Sequence, residues 1–106
     1  MAFEVEKKIG IRVKVEVVNA VQAPSTTPPS APVVLALERA IQAVYHKKAY
    51  AMGIGGATVA AFFRKADLPA AVWCTSSDSA HQPNEFCRLS HLVKDAQVFA
   101  HIFCQP

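Results

Sequence analysis

A polar loop contains the side chains of this sequence with the clearest chemical potential. It reads TSSDSAHQPNEFC and spans residues 75–87. One imidazole, His81, lies between the carboxylates of Asp78 and Glu85, and such groups serve as metal ligands or as general acids and bases. A Ser/His/Asp triad built from Asp78, Ser79 and His81 is sterically implausible, because neighbours along an extended segment do not point at one place. A lone loop histidine is more often an exposed residue than a ligand, so the loop by itself leaves the question open.

A glycine-rich turn, GIGGAT at residues 53–58, is the second feature that could contact a ligand. Successive glycines let the backbone approach a bound molecule, and free N–H groups at a helix start attract anions. The turn is not a P-loop, because no Gly-Lys-Ser/Thr follows, and it lacks the third glycine of a dinucleotide fingerprint. Two interpretations stay open: an anion site, or a tight turn that permits close packing of a helix on a strand.

The first third of the chain has a β-like pattern followed by prolines. Residues 3–8 predict a short helix that ends near Gly10. Ile11–Val18 alternates apolar and polar side chains, which predicts a β-strand with one buried face. Four prolines in residues 23–32 then exclude a continued strand, and they predict a stiff linker.

Strands and helices are predicted to alternate after the linker. A helix starts at Pro32 and runs to Tyr45, and residues 49–52 form a short strand. Ala70–Cys74 reads as a buried strand, and Ser90 as the N-cap of a last helix. The predicted buried residues are Val59, Phe62, Phe63 and Ala66 on the second helix, and Leu92, Ala96, Phe99 and Phe103 on the last. This pattern predicts an α/β fold, a small layered domain with three to four helices on a short mixed sheet.

Composition excludes several classes of function. The net charge is only +3, and the basic residues are scattered, so we expect no nucleic-acid partner. No apolar run is long enough to cross a bilayer, and we expect no membrane partner and no signal peptide. Three cysteines without a CxxC spacing predict a reducing, cytoplasmic setting. Because 52% of the 106 residues are hydrophobic and 18% are charged, either the core is unusually complete or some apolar surface meets another chain or domain.

The order of these motifs carries a family resemblance. A glycine-rich turn, a helix, a strand, an AHQPNE loop and a final helix, over Gly53 to Phe103, resemble the C-terminal segment of the di-zinc amidohydrolase and peptidase family. That family includes acetylornithine deacetylase, succinyl-diaminopimelate desuccinylase, aminoacylase and glutamate carboxypeptidase. By the same resemblance, residues 1–22 are similar to a helix and strand of the family's inserted lid domain. Residues 23–32 would be its proline-rich return, and residues 33–106 would belong to the catalytic domain.

The resemblance implies roles at particular positions. Close relatives usually have another glycine where this sequence has Ala57. The methyl group of Ala57 narrows the turn and so changes the space left for a substrate. Asn84 and Glu85 would hold the loop behind the metal. The implied site residues are His81 as the last zinc ligand, Gly55, Gly56 and Thr58 as contacts to the substrate carboxylate, and Asn84 and Glu85 as supports of the loop.

The family's remaining catalytic groups have no counterpart in this sequence. The family has an HxD motif, a bridging Asp, a further acidic ligand and a Glu-Glu pair with the general base, whereas the acids before the linker are Glu4, Glu6 and Glu16. The family site holds two zinc ions, and this chain supplies at most one ligand and no catalytic residue. We therefore predict the C-terminal fragment of a zinc-dependent amide hydrolase for N-acyl amino acids or small peptides. It would be inactive without a complementary N-terminal catalytic polypeptide.

A second hypothesis is a non-catalytic module that associates with itself. An unpaired edge on Ile11–Val18 could join two copies, and the linker could act as a hinge for an exchanged N-terminal segment. Both arrangements predict a homodimer.

Overall fold

Three helices joined by extended segments make up most of the ordered architecture. A computed structural model describes residues 7–53 and 56–104. The helices are α1, Pro32–Tyr45; α2, Ala60–Lys65; and α3, Leu89–Phe103. Residues 7–9 are also helical and lead to Gly10, whose φ of 73° is left-handed, while the rest of that predicted helix lies outside the described residues. None of the described helices is long and apolar enough to cross a membrane.

Helix α1 forms where the sequence predicts it. Pro32 occupies the first turn, where its missing N–H costs no intrahelical hydrogen bond. The helix ends at His46, whose left-handed φ of 55° lets its backbone N–H donate to the carbonyl of Gln42. Ala40 and Ile41 are buried, and Leu37 and Val44 pack beside them, so this apolar face of the helix meets the core. The boundaries from Pro32 to Tyr45 are confirmed.

The core lies between α1 and α3. Val98 of α3 and Ala40 of α1 have no exposed surface, and Ile41 packs beside them. Trp73, from the segment before α3, covers this interface; its ring centroid is 5.8 Å from that of Tyr45 and 6.2 Å from that of Phe99, both in edge-on geometry. Such aromatic pairs add about 0.5–1.5 kcal/mol each beyond their buried area. The two helices and Trp73 therefore form one small apolar cluster.

The predicted α/β fold is wrong for the described part of the chain, which contains no β-strand. Within Ile11–Val18, Val15 and Val17 are 69% and 74% exposed, so the alternating pattern has no buried face. Residues 49–52 are not a strand either. Ala70–Cys74 is not the predicted buried strand either, because Trp73 packs on the core while both its neighbours are exposed.

Hydrogen bonding explains why Ala70–Cys74 is extended without being a strand. The Thr27 hydroxyl accepts a hydrogen bond from the Ala70 backbone N–H at 3.0 Å and donates to the Ala70 carbonyl at 2.8 Å. The backbone groups of Ala71–Cys74 make no hydrogen bond with any described residue. A strand needs ladder bonds to a neighbouring strand, and alternating burial alone does not supply one. The Thr27 contact also fastens the proline-rich linker to the C-terminal part of the chain.

Two predicted helix faces are also wrong. On α2 only Ala60 is buried, while Val59, Phe62 and Phe63 are at least half exposed. Helix α3 begins at Leu89 with Arg88 as its N-cap, so Ser90 is not the cap. The predicted stripe of α3 is not buried: Leu92, Ala96, Phe99 and Phe103 are all exposed, although the ring of Phe99 meets that of Trp73.

The inward face of α3 is the neighbouring stripe, one residue away. His91, Asp95, Val98 and Ile102 follow helical spacing, and all four are buried or half-buried. One residue corresponds to about 100° of rotation around a helix, so the two stripes are different faces. Because His91 and Asp95 are polar, hydrophobic periodicity favours the wrong face.

Candidate metal-ligand loop

The loop at residues 75–87 is a succession of tight turns. Backbone N–H groups donate to carbonyls three residues earlier, from Gln82 to Ser79 and from Glu85 to Gln82, each at 3.1 Å. The two arms are tied together by the Ser77 hydroxyl, which donates to the Phe86 carbonyl at 3.1 Å. The loop therefore has a defined path although every residue from Ala80 to Arg88 is exposed.

His81 has an unusual backbone and a free side chain. Its φ of 61° is left-handed, which costs a residue with a Cβ roughly 1–2 kcal/mol. The backbone N–H donates to Glu85 Oε2 at 3.1 Å, and that contact helps to hold the turn. The imidazole is exposed and makes no hydrogen bond with any described residue. Both ring nitrogens are therefore available to a ligand.

The two residues predicted to support the loop lie in the same turn. Glu85 contacts the backbone of His81, as described above. Asn84 has a left-handed φ of 62°, a conformation that asparagine tolerates better than most residues. These contacts account for the shape of the turn, and the support of a metal by Asn84 and Glu85 stays a prediction.

The glycine turn is only partly within the described residues. Gly55 lies outside them, Gly56 is exposed and Thr58 is half-buried just before α2. A Cβ added at Gly53 or Gly56 would meet no atom within 4 Å, so close packing against the described chain does not explain these glycines. None of the described hydrogen bonds joins the turn to the histidine loop. The predicted carboxylate contacts of Gly55, Gly56 and Thr58 stay predictions.

A hydrogen-bonded cluster at the start of the loop was not predicted from the sequence. Asp95 Oδ2 accepts the Thr75 backbone N–H at 2.9 Å, and Asp95 Oδ1 lies 2.6 Å from the Thr75 hydroxyl and 2.7 Å from the Tyr45 hydroxyl. The two hydroxyl oxygens are themselves 2.7 Å apart. The hydroxyls of Thr75 and Tyr45 have one proton each, whereas the three oxygens make three short contacts. An ionised Asp95 carboxylate can accept both of these protons. Asp95 therefore joins α1, the loop and α3.

The environment of this cluster shifts two pKa values in opposite directions. Partial burial acts to raise the pKa of Asp95, but hydrogen bonds from the Thr75 hydroxyl and N–H and from Tyr45, with nearby His91, outweigh it and lower the pKa below its usual value. Burial raises the pKa of Tyr45, and Asp95 adds to that increase, while the Thr75 hydrogen bond opposes it. The favoured state is a carboxylate at Asp95 and a neutral phenol at Tyr45.

The lowered pKa of Asp95 predicts a contribution to stability that depends on pH. A carboxyl with a lowered folded pKa stabilises fully above its unfolded value, about 3.9, and loses that effect as the pH falls through the folded value. We expect Asp95→Asn to lower the free energy of unfolding at pH 7 by about 1–2 kcal/mol, since hydrogen bonds to a charged group are weakened. The difference from wild type should shrink below the ordinary carboxyl pKa in urea unfolding curves. Asp78→Asn, in the exposed loop, is the control and should leave the free energy of unfolding at pH 7 unchanged. A constant Asp95→Asn deficit at all pH values would contradict the assignment.

The described residues suit one ligand of a metal centre, not a complete centre. A zinc site takes three or four protein ligands, and the described part of the chain holds no cluster of three or more His, Cys, Asp or Glu side chains placed for a metal. His81 offers an unbonded imidazole on a loop of defined shape, which is the donor type that zinc accepts. Further ligands must come from elsewhere for His81 to hold a metal.

Comparison with known proteins identifies the family of this chain. The model of peptidase family M20/M25/M40 matches residues 3–105. An uncharacterized metallohydrolase of Methanococcus maripaludis is 37% identical over 100 residues, which cover 94% of this chain and 24% of that protein. An uncharacterized metallohydrolase of Methanocaldococcus jannaschii is 42% identical over 79 residues, 74% of this chain and 19% of that protein.

The matches cover most of this chain but only part of each relative. The chain spans about a fifth to a quarter of the length of these relatives, and no solved structure gives a significant match. The family match nonetheless covers almost all of the chain, including the histidine loop. The resemblance inferred from the loop and turn motifs is therefore confirmed, and the chain belongs to peptidase family M20/M25/M40, that of the metal-dependent amidohydrolases and peptidases.

Proposed function

We propose that this chain is the C-terminal part of a zinc-dependent amide hydrolase for N-acyl amino acids or small peptides, in which His81 is one metal ligand. The observation that carries the proposal is the unbonded imidazole of His81 on a turn fixed through Glu85. Family membership and the metallohydrolase relatives support the same chemistry.

The three cysteines are free and exposed, which supports a reducing, cytoplasmic location.

In this proposal each part of the chain has a limited task. His81 binds one zinc ion as a neutral imidazole, and Asn84 and Glu85 hold its turn. When bound, the metal supplies Lewis-acid chemistry to the reaction. Backbone N–H groups of Gly55 and Gly56 and the hydroxyl of Thr58 bind the carboxylate of the substrate, which orients the amide without taking part in proton transfer.

The remaining ligands and the general base belong to a complementary N-terminal polypeptide. Exposed apolar side chains favour such a partner: Phe62 and Phe103 are 72% and 82% exposed, on α2 and α3. These two side chains lie on helices that do not contact each other in the described part of the chain, so each is a separate apolar position for a partner to cover. The partner would cover these two side chains and bring its metal ligands to His81.

Complementation tests the proposal. We would truncate the Methanococcus maripaludis relative before the region that matches this chain, and supply this chain as a separate polypeptide with zinc. The intact relative is first assayed on a panel of N-acetyl amino acids with and without a chelator. The chain alone should not hydrolyse the panel, and the mixture should regain the chelator-sensitive hydrolysis measured for the intact relative. Hydrolysis by the purified chain alone, or a mixed complex that forms without activity, would contradict the proposal.

Self-association is the alternative function, and one observation favours it. Val15, Val17, Val18 and Val21 are each at least 69% exposed in the segment that follows Gly10. We propose that a homodimer would form through residues 11–18, or by exchange of the N-terminal segment about the proline-rich linker.

Sedimentation velocity tests the homodimer. Val17→Asp places a charge on the exposed apolar segment and should convert a dimer to a monomer, because an unpaired charge cannot be buried cheaply in an interface. Val93→Asp, a similarly exposed valine on α3, should leave the dimer intact. A wild-type monomer at high micromolar concentration would exclude this alternative.

A further inference from the structure

We propose that Asp95 is the positioning residue of the His81 loop, and that it acts by fixing Thr75, the first residue of the loop. As far as metal binding is concerned, this inference rests on the proposed function. The placement of the loop itself rests only on the contacts of Asp95.

Two contacts to the same residue set the direction of the loop as well as its position. Asp95 Oδ2 accepts from the Thr75 backbone N–H at 2.9 Å, and Oδ1 accepts from the Thr75 hydroxyl at 2.6 Å. A single hydrogen bond would let the chain pivot about it, whereas a backbone and a side-chain contact to separate oxygens oppose rotation. The loop therefore leaves the core of α1 and α3 in one orientation.

Tyr45 ties the same carboxylate to the other core helix. Its hydroxyl donates to Asp95 Oδ1 at 2.7 Å, and its ring meets Trp73 edge-on. The Nζ atom of Lys94 lies 5.2 Å from the centroid of the Tyr45 ring. The carboxylate is thus held from α1 while it holds Thr75, so movement of the loop start would disturb packed side chains.

Hydrogen bonds continue from the anchor to the histidine. Two residues after Thr75, the Ser77 hydroxyl ties the first arm of the loop to the Phe86 carbonyl on the second arm. Next to Phe86, Glu85 accepts the backbone N–H of His81. Three successive contacts therefore link α3 to His81. Asp95 makes the first of them, and it holds both the backbone and the side chain of Thr75, whereas the Tyr45 hydroxyl meets only the Thr75 hydroxyl.

Loop order in the full chain is the first test. We would measure ¹⁵N relaxation of the His81 and Gln82 amides in wild type, Asp95→Ala and Thr75→Val. Both variants should increase the mobility of these amides, and Thr75→Ser, which keeps the hydroxyl, should restore wild-type values. Asp78→Ala is the matched control within the loop and should change nothing. Trp73 fluorescence, measured in parallel, reports whether the core of α1 and α3 is intact.

Zinc affinity in the complemented enzyme is the second test. Supporting residues around a metal typically change affinity by about 10- to 100-fold, so Thr75→Val should weaken zinc binding about 10-fold and Thr75→Ser should recover it. Thr75→Val removes the side-chain contact to Asp95 and keeps the backbone contact. This variant therefore tests the positioning role of Asp95 even if Asp95→Ala does not fold.

The outcomes separate this inference from the proposed function. If His81→Ala leaves zinc binding and hydrolysis unchanged, the proposed function fails, while the relaxation data still decide how the loop is held. If His81→Ala removes zinc binding but Thr75→Val keeps wild-type loop order and affinity, the positioning role of Asp95 is overturned. Equal loosening of the loop and the core in Asp95→Ala, with no effect of Thr75→Val, would also overturn it, because Asp95 would then act on stability alone.

Discussion

His81→Ala should lower hydrolysis by the complemented enzyme more than 100-fold and should abolish zinc binding at the site that includes this chain. The estimate is a lower bound, because residues that only support a ligand already change metal affinity by about 10- to 100-fold. The imidazole is exposed and forms no hydrogen bond with the described residues, so its removal deprives the fold of no contact. The free energy of unfolding should therefore change by less than about 0.5 kcal/mol.

The measurement combines zinc titration, initial rates and urea unfolding on the same preparations. His101→Ala is the matched control: a histidine on the last turn of α3, outside the loop, whose loss should leave zinc affinity and rate unchanged. Retention of more than a tenth of the activity by His81→Ala, with zinc still bound, would show that His81 is not a ligand.

Val98→Asp should prevent the chain from folding at neutral pH. Val98 has no exposed surface and lies against Ala40 and Ile41 in the interface of α1 and α3. An isolated carboxylate cannot be buried there without a partner, and the loss of about 3–5 kcal/mol expected of an uncompensated buried charge is comparable to the total stability of a small domain.

A second valine on the same helix provides the control for Val98. Val93 is 57% exposed, so Val93→Asp should change the free energy of unfolding by no more than about 0.5 kcal/mol. Circular dichroism at 222 nm and the fluorescence of Trp73 follow helix content and core packing in both variants. Similar stability of the two variants would contradict the packing of α3 through Val98 and would favour the other stripe of that helix.

On α3 the hydrophobic pattern predicts the helix but selects the wrong face as the buried one. Leu92, Phe99 and Phe103 are the larger apolar side chains, yet all three are exposed. The face that meets α1 includes His91 and Asp95, which a hydrophobicity pattern counts as polar. Asp95 lies inward because Thr75 and Tyr45 satisfy its oxygens, and neither residue is near it in sequence.

The strand predictions failed for a related reason. The apolar run Ala70–Cys74 predicted a buried strand, but Trp73 is only half-buried and its two neighbours are exposed. Alternation cannot indicate whether a second strand lies alongside, and the described residues provide none. Ile11–Val18 does alternate apolar and polar side chains, yet no strand forms there and Val15 and Val17 are exposed, so the predicted ladder and buried face are both absent from this described segment.

The sequence by itself determined helix α1, the family and the candidate ligand His81. Helix α1 forms through hydrogen bonds between residues four apart, and Pro32 marks its start locally. The family is carried by motifs that can be read letter by letter, and His81 occupies a fixed place within one of them.

Only the tertiary structure decided the absence of a sheet among the described residues, the inward face of α3 and the anchoring of the loop by Asp95. Each of these depends on which distant residues meet: partner strands for a ladder, α1 for the face of α3, and Thr75 and Tyr45 for the carboxylate of Asp95. Contacts of that kind depend on packing across 20 to 50 positions of sequence separation. Local patterns of polarity do not encode them.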